Sequence, residues 1–162
     1  MKELLEKLSS YNLFNYLLPG VVFAAISELT SGYRLVQDDI VVGVFLYYFI
    51  GLVISRIGSV LIEPVLKWIK FVNFSEYSDY IRATEKDKLI EVLSEANNMY
   101  RTFLSLFLCL LFLKAFEAIT SCYPILNEWV SEMLVLGLLF LFAFSYRKQT
   151  NYISQRVSRT IQ

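Results

Sequence analysis

Lys114 and Glu117 are the residues whose types and spacing could do chemistry, because they stand in the otherwise apolar run LCLLFLKAFEAI, residues 108–119. Three residues apart on a helix, the two side chains share a face. Lysine before glutamate is the weaker order for a local pair, so we expect at least one of them to reach a different helix. Such an intramembrane polar pair either clasps helices together or lines an ion or proton path. The clasp is preferred, because the pair has no relay partner.

The usual signatures of enzymatic chemistry are missing from the sequence. It contains no histidine, the commonest general base and metal ligand, and its six glycines form neither a phosphate loop nor a dinucleotide fingerprint. Cys109 and Cys122 lie on one predicted helix at a separation of about 20 Å, too far apart to share a metal or a disulfide. Asp38 and Asp39 are interpreted as helix caps. The sequence therefore predicts a protein that is not an enzyme and has neither a cofactor nor a metal.

The elements that must position these residues are helices in lipid. Of the 162 residues, 56% are hydrophobic and only 19% are charged, and the mean hydropathy is +0.51. The apolar residues form four blocks, each near the roughly 20 residues that a helix needs to cross a bilayer. The predicted fold class is all-α: one integral membrane domain over 1–162, built as a bundle of four transmembrane helices. The predicted spans are 12–29, 40–61, 102–121 and 129–146.

Three segments outside the spans have predicted roles. Residues 1–10 resemble a short interfacial helix. Residues 62–101 are predicted to form a cytoplasmic helical hairpin, in which Thr84 and Asp87 make a capping box at the start of the helix that enters the third span. The hairpin is nearly neutral, which favours a cytoplasmic protein partner over direct contact with nucleic acid. The tail, 147–162, carries Arg147, Lys148, Arg156 and Arg159, which suit anionic headgroups or the same partner.

Orientation follows from the distribution of positive charge. With four spans, 13 of the 15 basic residues fall on the side of the two termini. Cytoplasmic loops retain Lys and Arg, so both termini are predicted to be cytoplasmic, with the lipid bilayer as the main partner. Aromatic rings are predicted at both headgroup levels. They are Tyr11, Trp68, Tyr100 and Tyr146 at the inner level, and Tyr33, Tyr123 and Trp129 at the outer level.

Two further patterns concern helix packing. Pro19 followed by Gly20 predicts a kink in the first span, either for packing or as a discontinuous helix that lines an ion or substrate site. Gly51, Ser55 and Ser59 recur every four residues in the second span. Such a small-residue stripe predicts a helix interface, within the protomer or between protomers.

Two stretches carry a family resemblance. SSYNLFNYLLPGVVF, residues 9–23, and EANNMYRTFLSLFL, residues 95–108, resemble segments of small four-span bacterial membrane proteins from phage-defence operons, and the size and topology are similar to the membrane subunit of the Kiwa system. The resemblance implies an inner-membrane homo-oligomer, with a tetramer favoured, that senses disturbance of the envelope and holds a cytoplasmic nucleic-acid-binding effector. The expected function is therefore a non-enzymatic subunit of an antiphage complex. The alternative is a pore that depolarises the membrane.

The predicted orientation can be tested through the two thiols. Cys122 should react with a membrane-impermeant maleimide added to intact spheroplasts, because it lies at the outer end of the third span. Cys109, inside that span, should stay unlabelled, and mass spectrometry of the labelled protein distinguishes the two sites. Labelling of Cys122 only after lysis would overturn the orientation.

Overall fold

The computed structural model describes residues 13–160, and the predicted interfacial helix 1–10 lies outside them. Within the described range the chain is helical and contains no β-strand, which confirms the predicted all-α class. The α-helices are α1 (Leu18–Thr30), α2 (Ile40–Ile57), α3 (Glu63–Trp68), α4 (Tyr77–Lys86), α5 (Leu89–Cys122) and α6 (Val130–Thr160). Leu13–Leu17 and Gly58–Ile62 are π-helical turns, and Pro124–Trp129 is a 3₁₀-helix.

Three helical stretches of the described residues are long and apolar enough to cross a membrane. They are Ile40–Trp68, Leu89–Cys122 and Pro124–Ser158, so three of the four predicted spans have a candidate helix. Only 11–22% of the residues in their apolar windows are buried within the protomer. Large apolar surfaces of this kind are not left in contact with water, which supports a membrane-embedded protein.

The two π-helical turns are each followed by a proline. Pro19 is the second residue of α1 and Pro64 is the second residue of α3. A proline ring collides with the carbonyl four residues back in an α-helix, and the wider π-turn relieves that collision. At Pro19, the predicted kink site, the helix therefore changes its winding and continues, and Asn15 and Tyr16 lie on the π-helical turn.

The closest approach of two helices is between α1 and α2. A Cβ atom added to Gly20 would lie 1.7 Å from the carbonyl oxygen of Tyr47, and one added to Gly51 would lie 1.7 Å from that of Tyr16. Both glycines are buried. Helices in lipid gain their stability from such close van der Waals contact. Only glycine fits here, because the colliding atoms belong to the backbone and cannot rotate away.

The interior of the bundle is built from small and hydroxyl-bearing side chains. The most deeply buried residues include Ala24, Ser27, Ser55, Thr102 and Leu106, each at most 1% exposed. The Ser27 hydroxyl donates to the carbonyl of Ala24, and the Thr102 hydroxyl donates to the carbonyl of Asn98. Buried hydroxyls are therefore satisfied by their own helix, and α1, α2 and α5 can pack tightly around them.

The last helix is peripheral. α6 packs mainly along α2, where the rings of Phe49 and Phe142 stack with centroids 6.3 Å apart, while most of its other apolar side chains are exposed. Both α5 and α6 extend past the predicted spans: α5 begins at Leu89, and the predicted tail continues α6 as helix to Thr160. Their 34 and 31 residues correspond to about 45–50 Å, which exceeds the hydrocarbon thickness of a bilayer.

The predicted capping box at Thr84 and Asp87 is wrong. Thr84 lies inside α4, where its hydroxyl donates to the carbonyl of Ile81. Asp87 is the residue that caps α5, because its carboxylate accepts from the backbone N–H of Leu89. The cap prediction for Asp39 is confirmed, since its carboxylate accepts from the N–H groups of the first turn of α2, whereas Asp38 pairs with Arg34.

The glycine contact gives a stability prediction. Gly20→Ala and Gly51→Ala should each lower the unfolding free energy by about 2 kcal/mol or more, because overpacking against backbone forces α1 and α2 apart. Gly137→Ala is the matched control, since nothing lies within 4 Å of an added Cβ there and alanine is the better helix former. Thermal unfolding in nanodiscs, followed by circular dichroism, measures all three. Equal midpoints for the three variants would contradict the close approach.

Candidate functional site

The most deeply buried ionisable group of the described residues is the carboxylate of Glu63, which is 6% exposed. Lys67 Nζ donates to its Oε1 at 2.9 Å, Lys148 Nζ reaches the same oxygen at 3.3 Å, and the Arg101 guanidinium donates to Oε2. We call Glu63, Lys67, Arg101 and Lys148 the Glu63 cluster. One buried carboxylate thus holds three cations, which compensates the cost of burying it.

The four members come from three different helices. Glu63 and Lys67 lie one turn apart on α3, directly after the second π-helical turn, while Arg101 lies on α5 and Lys148 on α6. Lys148 also donates to the carbonyl and the hydroxyl of Ser59 at 2.7 and 2.9 Å. The peripheral helix α6 is therefore fixed to the helical stretch Ile40–Trp68 by an ammonium group.

A cavity of about 930 Å³ opens beside the Glu63 cluster. Residues of Ile40–Trp68, Leu89–Cys122 and Pro124–Ser158 line it. The first π-helical turn and the segment 72–80, which connects α3 to α4 and includes the first turn of α4, line it as well. Its size is within the range of small-molecule binding sites. The described lining residues include the cations Arg56, Lys67, Arg101 and Lys148 but only one carboxylate, Glu63, so the cavity carries an excess of three positive charges.

Two guanidinium groups leave a hydrogen-bond donor unused at this cavity. Nε of Arg56 and Nε of Arg101 are buried and have no hydrogen-bond partner. Arg56 Nη2 donates to the Tyr16 hydroxyl at 3.0 Å, and within residues 13–160 no carboxylate forms an ion pair with it. Buried donors are nearly always paired in folded proteins, so these two Nε atoms are exceptions, and they belong to cations that line the cavity.

A layer of uncharged polar groups lies next to the cavity. The Thr102 hydroxyl on α5 is 3.3 Å from the Ser55 hydroxyl on α2 and 3.5 Å from the Asn15 amide oxygen. All three residues are buried. The first π-helical turn, α2 and α5 thus meet through polar side chains at the same end of the bundle as the Glu63 cluster.

The predicted polar pair lies at the opposite end of the bundle. Lys114 Nζ is 2.6 Å from Glu117 Oε2, so the two side chains pair with each other, and Glu117 Oε1 accepts from the backbone N–H of Gly32 at 3.0 Å. Gly32 belongs to the connection after α1. The pair is therefore level with the end of α1 and does not lie at mid-bundle. Lys114 remains 61% exposed, and a long lysine there can extend toward a headgroup layer.

The other predicted site residues lie partly inside the bundle and partly on its surface. The stripe of Gly51, Ser55 and Ser59 faces the inside of the protomer, against α1, α5 and Lys148. Of the four basic residues in the tail, Lys148 points inward and Arg147 is exposed. Arg156 lines a smaller groove with Tyr77 and Tyr152, while the side chain of Arg159 lies outside the described part of the structure.

Sequence reasoning missed Glu63. It gave Lys148 a role at headgroups or a protein partner, and it gave Arg101 a role only in topology. A signal was present, because Glu63 is an acid followed by proline at the end of an apolar block, and basic residues occur near the ends of the predicted spans. Charge patterns cannot say which helices meet, however. The π-helical turns that carry Tyr16 and Ser59 to the cavity were also missed.

The geometry is that of an ion-paired helix junction with a basic cavity. In residues 13–160 no group of three or more Cys, Asp or Glu side chains is arranged to hold a metal ion. No protein-family model matches the chain, and comparisons with curated proteins and with solved structures find no significant match. The described residues define the class: an all-helical protein with three helices long and apolar enough to span a membrane.

The Glu63 cluster gives the second stability prediction. Glu63→Gln keeps the side-chain volume but removes the charge, so three cations face one another without an anion, and unfolding free energy should fall by about 3 kcal/mol. Asp79→Asn is the control, because its pair with Arg82 is exposed on both sides and such pairs contribute little. Thermal unfolding in nanodiscs compares the two. A smaller loss for Glu63→Gln than for Asp79→Asn would contradict the role of the cluster.

Proposed function

We propose that this chain is a four-span protein of the bacterial inner membrane with both termini in the cytoplasm. Leu13–Thr30 is the fourth span in this proposal: its 18 residues rise about 27 Å and pack along the full length of α2. The segment between α2 and α5 then lies on the cytoplasmic side, where its helices α3 and α4 form the hairpin. Each terminus and this hairpin share one face of the membrane.

The charges of the described residues support this orientation. The end with the Glu63 cluster carries Arg56 and Arg147 as well, whereas Asp39, Glu128 and Glu132 lie at the other end. Positive charge is retained in the cytoplasm. Exposed aromatic rings occur at both ends, as expected at headgroup levels. They are Trp68, Tyr100 and Tyr146 beside the Glu63 cluster, and Tyr123 and Trp129 at the opposite end.

The protein acts in this proposal by association and not by catalysis. The observation that carries the proposal is the Glu63 cluster, which joins α3, α5 and α6 beside a cavity that the segment 72–80 helps to line. A change in how the helices pack in the bilayer must rearrange these ion pairs and move the segment 72–80. A disturbance of the envelope is thereby coupled to a cytoplasmic surface that anchors a protein effector. Residues 62–101 and the tail form this surface. The chain itself needs neither nucleic acid nor a cofactor.

Antiphage defence is the biological role that we propose for this coupling. It rests on the resemblance of residues 9–23 and 95–108 to membrane subunits of the Kiwa type. The same two stretches carry Asn15, Tyr16, Asn98 and Arg101, which line the cavity. The resemblance also implies a homo-oligomer, with a tetramer favoured, and the exposed apolar faces of α5 and α6 leave surface for contacts between protomers.

A pore is the second candidate function. The observation in its favour is Lys114, which is exposed on the flank of an apolar helix beside Glu117. In an oligomer, copies of this pair around a common axis would line a polar path, because charged side chains in a membrane face a cavity or one another.

The double variant Lys114→Leu with Glu117→Leu separates the two functions. If the protein acts by association, the double variant should assemble and protect cells against phage like the wild type, while each single variant is less stable because one charge loses its partner. If it is a pore, the double variant should assemble but lose ion flux in liposomes and lose protection. Plaque counts on cells that carry the gene with its genomic neighbours, together with liposome flux, measure both.

Two results would reject the proposed association. One is a double variant that assembles normally and yet gives no protection. The other is wild-type protein that conducts ions in liposomes by itself. Arg34→Leu with Asp38→Leu, which removes an exposed pair from the connection between α1 and α2, controls for the loss of charge alone.

A further inference from the structure

The basic cavity has features of a ligand site that the proposed function does not require. Its volume is about 930 Å³, and residues of α2, α5 and α6 are among those that line it. Glu63 accepts from Lys67, Lys148 and Arg101, so both of its oxygens are already engaged. Arg56 has no carboxylate partner among the described residues, and the cavity therefore holds more positive charge than it neutralises.

The cations at the cavity suit an oxyanion. The guanidinium groups of Arg56 on α2 and Arg101 on α5 both line it. A planar guanidinium presents paired N–H donors that match the oxygens of a phosphate. Several such groups with excess positive charge in a partly desolvated cleft attract an anion more strongly than isolated surface charges do.

Part of the cavity wall is apolar. Val72 and Phe74 from the connecting segment and Ile90 and Leu93 from α5 line the same cavity. Lys67 Nζ lies 4.1 Å from the centroid of the Phe74 ring, which keeps that ring beside the Glu63 cluster. A ligand with a phosphate at one end and a carbon framework at the other would contact both kinds of wall.

We infer that this cavity binds a phosphate-bearing ligand, whose negative charge is attracted by the excess of lining cations, Arg56 among them. Two sources present this chemistry at the cytoplasmic face of a membrane: the headgroup of an anionic phospholipid, and a soluble phosphate compound. Basic pockets between membrane helices on that face are known to accept phospholipid headgroups. The inference does not depend on the defence role, because it rests on the cavity alone.

Binding is measured on the full-length protein purified in neutral detergent. The lipid arm adds dioleoylphosphatidylglycerol, with dioleoylphosphatidylcholine as its reference, and the soluble arm adds sodium pyrophosphate, with sodium chloride at equal ionic strength as its reference. At least one phosphate probe should raise the unfolding midpoint by about 5 °C at saturation, because a ligand that binds only the folded state stabilises it. A response in the lipid arm alone identifies a headgroup, and one in the pyrophosphate arm identifies a soluble ligand.

Arg56 provides the specific variant, since it lies outside the Glu63 cluster. Arg56→Gln should weaken binding by about tenfold, the effect of losing a charged hydrogen bond, and Arg56→Lys should weaken it less because it keeps the charge. Arg147→Gln removes the same charge from an exposed position at the same end and should bind like the wild type.

Three results would overturn the site. They are no rise in midpoint with either phosphate probe, equal rises with the reference compounds, and equal losses of affinity in Arg56→Gln and Arg147→Gln. The last would mean that surface charge alone attracts the anion. If Arg56→Gln is not monodisperse, Arg56→Lys takes its place, and its affinity for the phosphate probe is compared with that of the wild type. Equal losses of affinity in Arg56→Lys and Arg147→Gln would then overturn the site.

Discussion

The structure depends on one carboxylate that is buried where three helices meet. Glu63 would be costly in this position without cations, and no single helix could supply enough of them. Lys67 comes from its own helix, Arg101 from α5 and Lys148 from α6. The need to compensate one charge therefore fixes how three helices meet, and it draws into the bundle a lysine that would otherwise lie at the surface.

The cavity follows from the same arrangement. Cations that converge on a carboxylate also repel one another, so they cannot close completely around it, and Arg56 on the neighbouring turn adds a further positive charge. The π-helical turns before Pro19 and Pro64 turn Tyr16 and Ser59 toward this space. Their position fits the general tendency of such turns to occur at functional sites. Both stability and ligand attraction thus have one electrostatic origin.

Two polar levels bound an apolar slab. On α5, Arg101 belongs to the Glu63 cluster, and Glu117 accepts a hydrogen bond from the connection after α1. Glu117 follows Arg101 by 16 positions, which corresponds to about 24 Å along the helix. That distance is close to the hydrocarbon thickness of a bilayer. Between the levels, small side chains at Gly20, Gly51 and Ser55 let the helices approach, and the large apolar side chains point outward.

The sequence by itself determined the helical class, the location of three long apolar helices and the cap at Asp39, because hydropathy and capping are local properties that need no partner. It also marked Lys114 with Glu117 and the stripe at Gly51. Only the tertiary structure decided that Lys148 turns inward to Glu63, that Gly20 and Gly51 oppose each other within one protomer, and that four basic side chains share a cavity. Those facts depend on which helices are neighbours and how each helix is rotated. Glu63 and Lys148 are 85 positions apart, and that spacing does not indicate that the two side chains meet.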